Sequence, residues 1–142
     1  MNATAVKFGD PETRIAHRGA WTVLLRPRQV TLGALVLVCE EPVATFGQVS
    51  AQAFADLRGV TQGIERMLQR AFTYDKINYL MLMMVDPDVH FHVLPRYAQA
   101  RQFAGLTFTD PGWPNPADLA GDHPLGGEVR ANLVSHLRGM WE

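Results

Sequence analysis

The chain has 142 residues and 47% hydrophobic content, and its 13 basic and 14 acidic residues leave a formal net charge of −1. That is enough apolar material for one folded domain with a core, and it argues against a disordered chain. The near-balanced charge gives no general pull toward nucleic acid or anionic membranes.

A single cysteine, Cys39, excludes an internal disulfide and fits a reducing compartment. It ends an apolar run and reads as a buried, inert thiol. Residues Met1 to Asp10 lack a basic segment followed by an apolar one, so no signal peptide is expected. The longest apolar run, Tyr79 to Val85, is too short to span a bilayer. The expectation is a cytoplasmic protein with neither a membrane nor a nucleic-acid partner.

The first clear element is a strand over Trp21 to Leu25, interrupted at Arg26-Pro27-Arg28-Gln29 because proline fixes its own φ and lacks an N–H. After Gly33, Ala34 to Cys39 reads as a buried strand, and the two runs suggest a hairpin. Ser50 is a credible N-cap for a long helix with Phe54, Leu57, Val60, Ile64, Met67, Leu68, Ala71 and Phe72 at helical spacing. Gly59 and Gly63 each cost that helix about 1 kcal/mol against alanine, which suggests close approach of another backbone.

A turn at Tyr74-Asp75-Lys76 leads into a covered strand, Ile77 to Val85, and past Pro87 a second strand alternates from Val89 to Leu94 and ends at Pro95. Pro111, Pro114 and Pro116, with Gly112 and Trp113, make Phe108 to Leu119 an irregular loop. Trp113 is expected to pack that loop onto the domain, with stacking on a base as the rarer use. Val129, Leu133, Leu137 and Met140 predict a closing amphipathic helix. The reading is an α+β fold: an antiparallel sheet of about five strands, one long helix and a C-terminal helix. Residues 1–142 form one domain, with its core at 20–97, an irregular loop at 104–124 and the last helix at 127–141.

The chemistry concentrates in Asp88-Val89-His90-Phe91-His92-Val93-Leu94-Pro95-Arg96. Alternate residues of a strand share a face about 6.5–7 Å apart, so Asp88, His90 and His92 point one way and Val89, Phe91 and Val93 enter the core. Two imidazoles and a carboxylate on one surface are expensive to bury without a use. They suit a hydrogen-bonded histidine pair, a metal site, or covalent attack on phosphorus. The metal reading is weakened because no acid comes after the pair before Gln99.

The segment resembles the histidine triad superfamily, whose strand reads His-φ-His-φ-His-φ-φ (φ apolar), often followed by Pro-Arg. His90-Phe91-His92-Val93-Leu94-Pro95-Arg96 matches its second and third triad positions together with the apolar pair and Pro-Arg beyond them. Gly33 to Phe46 resembles the family's second strand and its Pro-Val-x-x-Phe exit, and the likeness covers about residues 20 to 97. It implies a nucleotide phosphohydrolase or nucleotidyltransferase in which His90 attacks the α-phosphorus and forms a nucleotidyl-histidine. His92 would support it, and Arg26, Gln29 and Arg96 become candidate nucleotide contacts. A homodimer joining two sheets is implied, with no metal required.

The departures from the family pattern are also specific. Asp88 stands at the first triad position, where a carboxylate repels phosphate unless it is protonated or bridged by a cation. It could orient His90, carry a proton to a leaving group, or recruit Mg²⁺. Met83-Met84 stands where hydrolases of the family carry a polar amide, and Arg26 where a ribose-contacting asparagine is expected. Both put the usual dinucleoside polyphosphate substrate in doubt. The competing functional reading is a nucleotide-binding or regulatory protein that kept the pocket and lost turnover.

Overall fold

The computed structural model describes residues 2–142. A five-stranded antiparallel sheet forms the framework: β1 (Arg14–Arg18), β2 (Trp21–Leu25), β3 (Leu35–Cys39), β4 (Lys76–Leu80) and β5 (His90–Arg96), in the order β1-β2-β3-β5-β4. A short helix α1 (Ala3–Lys7) precedes it, α2 (Ala51–Phe72) joins β3 to β4, and α3 (Gly127–Met140) closes the chain. The ribbon β6 (Arg101–Phe103) and β7 (Leu106–Phe108) stands apart from the main sheet. The α+β architecture is therefore as expected, with five strands, one long helix and a C-terminal helix.

The strand residues dictate which face is covered. Trp21, Val23, Leu25, Leu35, Leu37 and Val93 point to one side and are fully buried against Val60, Ile64, Met67 and Leu68 of α2 and Leu133 and Leu137 of α3. The Ser50 hydroxyl accepts from Ala53 N–H and so starts α2. Thr73, at φ 51°, stops it. Of the two helix glycines, packing demands only one. A Cβ at Gly63 would lie 2.6 Å from the Trp141 ring, so the close neighbour is a tryptophan and not a second backbone. Gly59 accepts a hydrogen bond from Arg18 through its carbonyl.

Two strand ends differ from expectation, and several short elements were not expected. β4 ends at Leu80, and the residues after it leave the sheet, with Met83 at φ 51° and Met84 85% exposed. β5 does not stop before Pro95, because past Val93 it borders only β4, and a missing N–H is tolerated at such an edge. α1, β1 and the β6–β7 ribbon were not expected: α1 and the ribbon strands are only three to five residues long, and β1 buries a single residue, Ile15.

The opposite face of the sheet is shared. Ala5 of α1 packs on Leu24, Val36 and Val38, with Phe8 beside them. Farther along, Ala117 and Leu119 of the proline-rich loop pack on Val30, Ala34 and Leu94. His90 and His92 emerge between these two covers.

Candidate active site

β5 sets the two histidines on that face. His90 lies opposite Val38 of β3, and His92 lies between Val36 of β3 and Leu80 of β4. Their rings stand edge to face with centroids 5.3 Å apart. His90 is only 2% exposed. Its Nδ1 lies 2.7 Å from the backbone oxygen of Asp88. A carbonyl can only accept, so Nδ1 carries the proton and Nε2 keeps a basic lone pair. The buried side-chain nitrogens and oxygens without a partner, among the described residues, are Arg26 Nε and His92 Nδ1. His90 Nε2 is not one of these sealed atoms, so the little surface His90 keeps includes the nitrogen that would attack.

His92 is held neutral. Burial, foremost, and then the charges of His90 and Arg26 push its pKa down to about 4, outweighing the opposing pull of Asp86. The neutral ring adds no second full charge beside His90.

Residue 88 divides its tasks between main chain and side chain. Its carbonyl orients His90, one of the three tasks open to the carboxylate. The carboxylate instead accepts from Thr4 N–H at 3.0 Å, while Asp88 N–H donates to the Thr4 hydroxyl at 3.3 Å. Thr4 belongs to the first turn of α1, where backbone N–H groups lack helical partners and favour a negative charge. Asp88 is thus a tertiary cap for α1. Asn2 reinforces it by accepting from Ala5 N–H and donating to the Cys39 carbonyl, and Lys7 pairs with Asp86 at 2.8 Å. Held this way, Phe8 lies 5.9 Å from the His92 ring and 6.4 Å from that of His90.

The three expected nucleotide contacts fall in different surroundings. Arg26 lines an open cleft of about 190 Å³ together with Lys7, Phe8, Pro27 and Arg28. Gln29 is fully buried: its amide donates to the carbonyls of Arg26 and Ala34 and accepts from Gly33 N–H, so it stitches the β2–β3 connection. Arg96 is taken up as well. It makes a two-pronged ion pair with Asp110 and donates to Asn78 and to the Asn115 carbonyl. Both partners of that pair are buried, at 5% and 1% side-chain exposure, so Arg96 anchors the proline-rich loop and has little left for a phosphate.

His123 and Asp122 anchor the same loop to Gln29 and Arg28. Trp113 is half-buried and pairs with neither site ring. Among the described residues no three His, Cys, Asp or Glu side chains are grouped to hold a metal ion, and no helix is long and apolar enough to cross a membrane. Lys7 and Phe8 were missed from sequence because α1 is only five residues long. The one available signal was Asn2, a good N-cap residue, ahead of it.

No protein-family model matches the chain, and no curated protein does either. Solved structures do. A histidine triad protein from Marinobacter aquaeolei superposes with a TM-score of 0.77 at 18% identity, over 99% of this chain and 96% of that one. A histidine triad protein from Sinorhizobium meliloti gives 0.74 at 20% identity, over 96% and 93%. A hypothetical histidine triad nucleotide-binding protein from Sulfolobus tokodaii gives 0.68 at 14%, over 90% and 82%. The chain has the histidine triad fold.

Proposed function

We propose that this protein acts at a nucleoside α-phosphate through a nucleotidyl-His90 intermediate, as a hydrolase or transferase. The observation that carries the reading is the His90 tautomer: Nδ1–H is committed to the Asp88 carbonyl, leaving Nε2 as a free nucleophile. Nε2 attacks the α-phosphorus, an N–P bond forms, and the leaving group departs with its bonding pair. Water or another acceptor then attacks phosphorus and returns the N–P pair to Nε2. The Asp88 carbonyl supports the positive ring in between. Neutral His92 offers a donor near the phosphate oxygens. The fold of the superposed proteins, one of them described as nucleotide-binding, supports the same substrate class.

No metal is required by this scheme, and Mg²⁺ is the ion that Asp86 and Asp88 would draw if one takes part. The assembly we propose is a homodimer formed through the open edge of β4, beside exposed Leu82, Met84 and Val85.

The test is to incubate the protein with radiolabelled adenosine 5′-phosphoramidate and dinucleoside polyphosphates, quench, and look for acid-labile label on protein. Label that forms on wild type and is absent from His90→Ala, with product release, is the expected result. A second reading, nucleotide binding without turnover, is favoured by the near-complete burial of His90 beneath Phe8. Tight binding with no label from any substrate would establish it in place of the first.

A further inference from the structure

Arg26 Nε and His92 Nδ1, the two orphaned buried nitrogens among the described residues, belong to one neighbourhood. Arg26 is close enough for its charge to act on His92. Buried polar atoms are nearly always hydrogen-bonded, and exceptions call for a missing partner. Arg26 also opens onto the cleft between α1 and the β2–β3 connection. Two of the three cations there already have carboxylates, Lys7 with Asp86 and Arg28 with Asp122. Arg26 forms no ion pair among the described residues. Its Nη1 donates to the Arg28 carbonyl and Asp122 acts on it without contact, so a half-buried guanidinium with no carboxylate against it keeps its remaining donors for phosphate oxygens.

The cleft's volume of about 190 Å³ is also informative. Pockets that enclose a whole small ligand start at roughly 300 Å³. This one fits part of a larger molecule, with the Phe8 ring and Pro27 as apolar walls, and the same Phe8 ring lies 6.4 Å from that of His90.

We propose that the cleft is a second anion subsite, in which Arg26 receives a phosphate group of the substrate other than the one His90 attacks. The preferred substrate is then a nucleotide with an additional phosphate, carried either on the ribose or in the leaving chain. This rests on the reading of His90 as nucleophile, and the experiment separates the two.

Adenosine 5′-phosphoramidate, its 3′-phosphorylated analogue and diadenosine tetraphosphate are compared as substrates of the full chain at low ionic strength. Wild type should use at least one of the two more highly charged compounds with kcat/KM about tenfold or more above the first. The compound that gains tells ribose from leaving chain. In Arg26→Gln that ratio should collapse to near one, and Arg26→Lys should restore part of it. Equal use of all three by wild type, or an equal loss on all three in Arg26→Gln, overturns the subsite. If nothing is turned over, calorimetric titration with adenosine 3′,5′-bisphosphate and adenosine 5′-monophosphate decides. Tighter binding of the bisphosphate that is lost in Arg26→Gln keeps the subsite and rejects the nucleophile; no such difference rejects both.

Discussion

A nucleophilic imidazole must be neutral, aimed and not hydrogen-bonded away, and at position 90 the main chain of Asp88 supplies the aim. The carboxylate of the same residue holds α1 instead. Asp88→Asn keeps an acceptor for Thr4 N–H and should leave turnover within a few-fold of wild type. Asp88→Ala should lose about 1 kcal/mol of stability, the usual loss for a helix cap, and raise KM through a displaced Phe8. Denaturation midpoints and a KM-against-kcat comparison check this, and an Asn variant as dead as His90→Ala would make Asp88 an acid or base after all. His92 gives a pH prediction. Its folded pKa of about 4 lies below the 6.5 of an unfolded histidine. Between those values the unfolded chain takes up a proton that the folded one refuses. Stability therefore falls as pH drops from about 6.5 to 4 and is unaffected by this group above 6.5. Screening at a part-exposed ring limits the effect to roughly 1–2 kcal/mol. Urea midpoints of wild type and His92→Gln should diverge in that window, and parallel curves would sink the account. Both histidines were legible from their alternation with Phe91 and Val93. The role of Asp88 was not, because its partner Thr4 lies 84 residues away.

Among the elements, the proline-rich loop is held by the buried Arg96–Asp110 pair. Removing one partner of such a pair strands a buried charge, at about 3–5 kcal/mol. Arg96→Ala should unfold at clearly lower denaturant than wild type and release residues 110–123 to rapid hydrogen exchange. A loss under about 1 kcal/mol, the range of an exposed pair, would mean that the pair is weaker than its geometry implies. Sequence could name Arg96 as a strand-closing arginine, but a phosphate contact and a loop anchor ask for the same guanidinium. Only the position of Asp110 separates them. The long elements were readable for a simpler reason. α2 repeats its apolar face over 22 residues, whereas α1 spans five and buries only Thr4 and Ala5. Strand lengths were misjudged at Met81 to Val85, where apolar residues continue after the hydrogen-bonded pairing has ended.

At the scale of the molecule, one sheet face is sealed by α2 and α3, and the other is divided between α1, the two histidines and the loop. The seal depends on Gly63, which leaves room for Trp141. Gly63→Val should cost about 1–3 kcal/mol by overpacking, read as a lowered Tm, and Trp141→Ala combined with it should recover part of the loss. The homodimer proposed through β4 predicts sedimentation at twice the chain mass, reduced to a monomer when Met84 and Val85 are both replaced by charged residues. Antiparallel pairing of neighbouring strands was foreseeable from hairpin spacing, but the cover on the histidine face came from segments whose sequence carries no period. That cover can be loosened from a point remote from the histidines. The Asn2 side chain is threaded between α1 and the Cys39 carbonyl, so its removal slackens the wall that presents Lys7 and Phe8 while leaving both imidazoles in place.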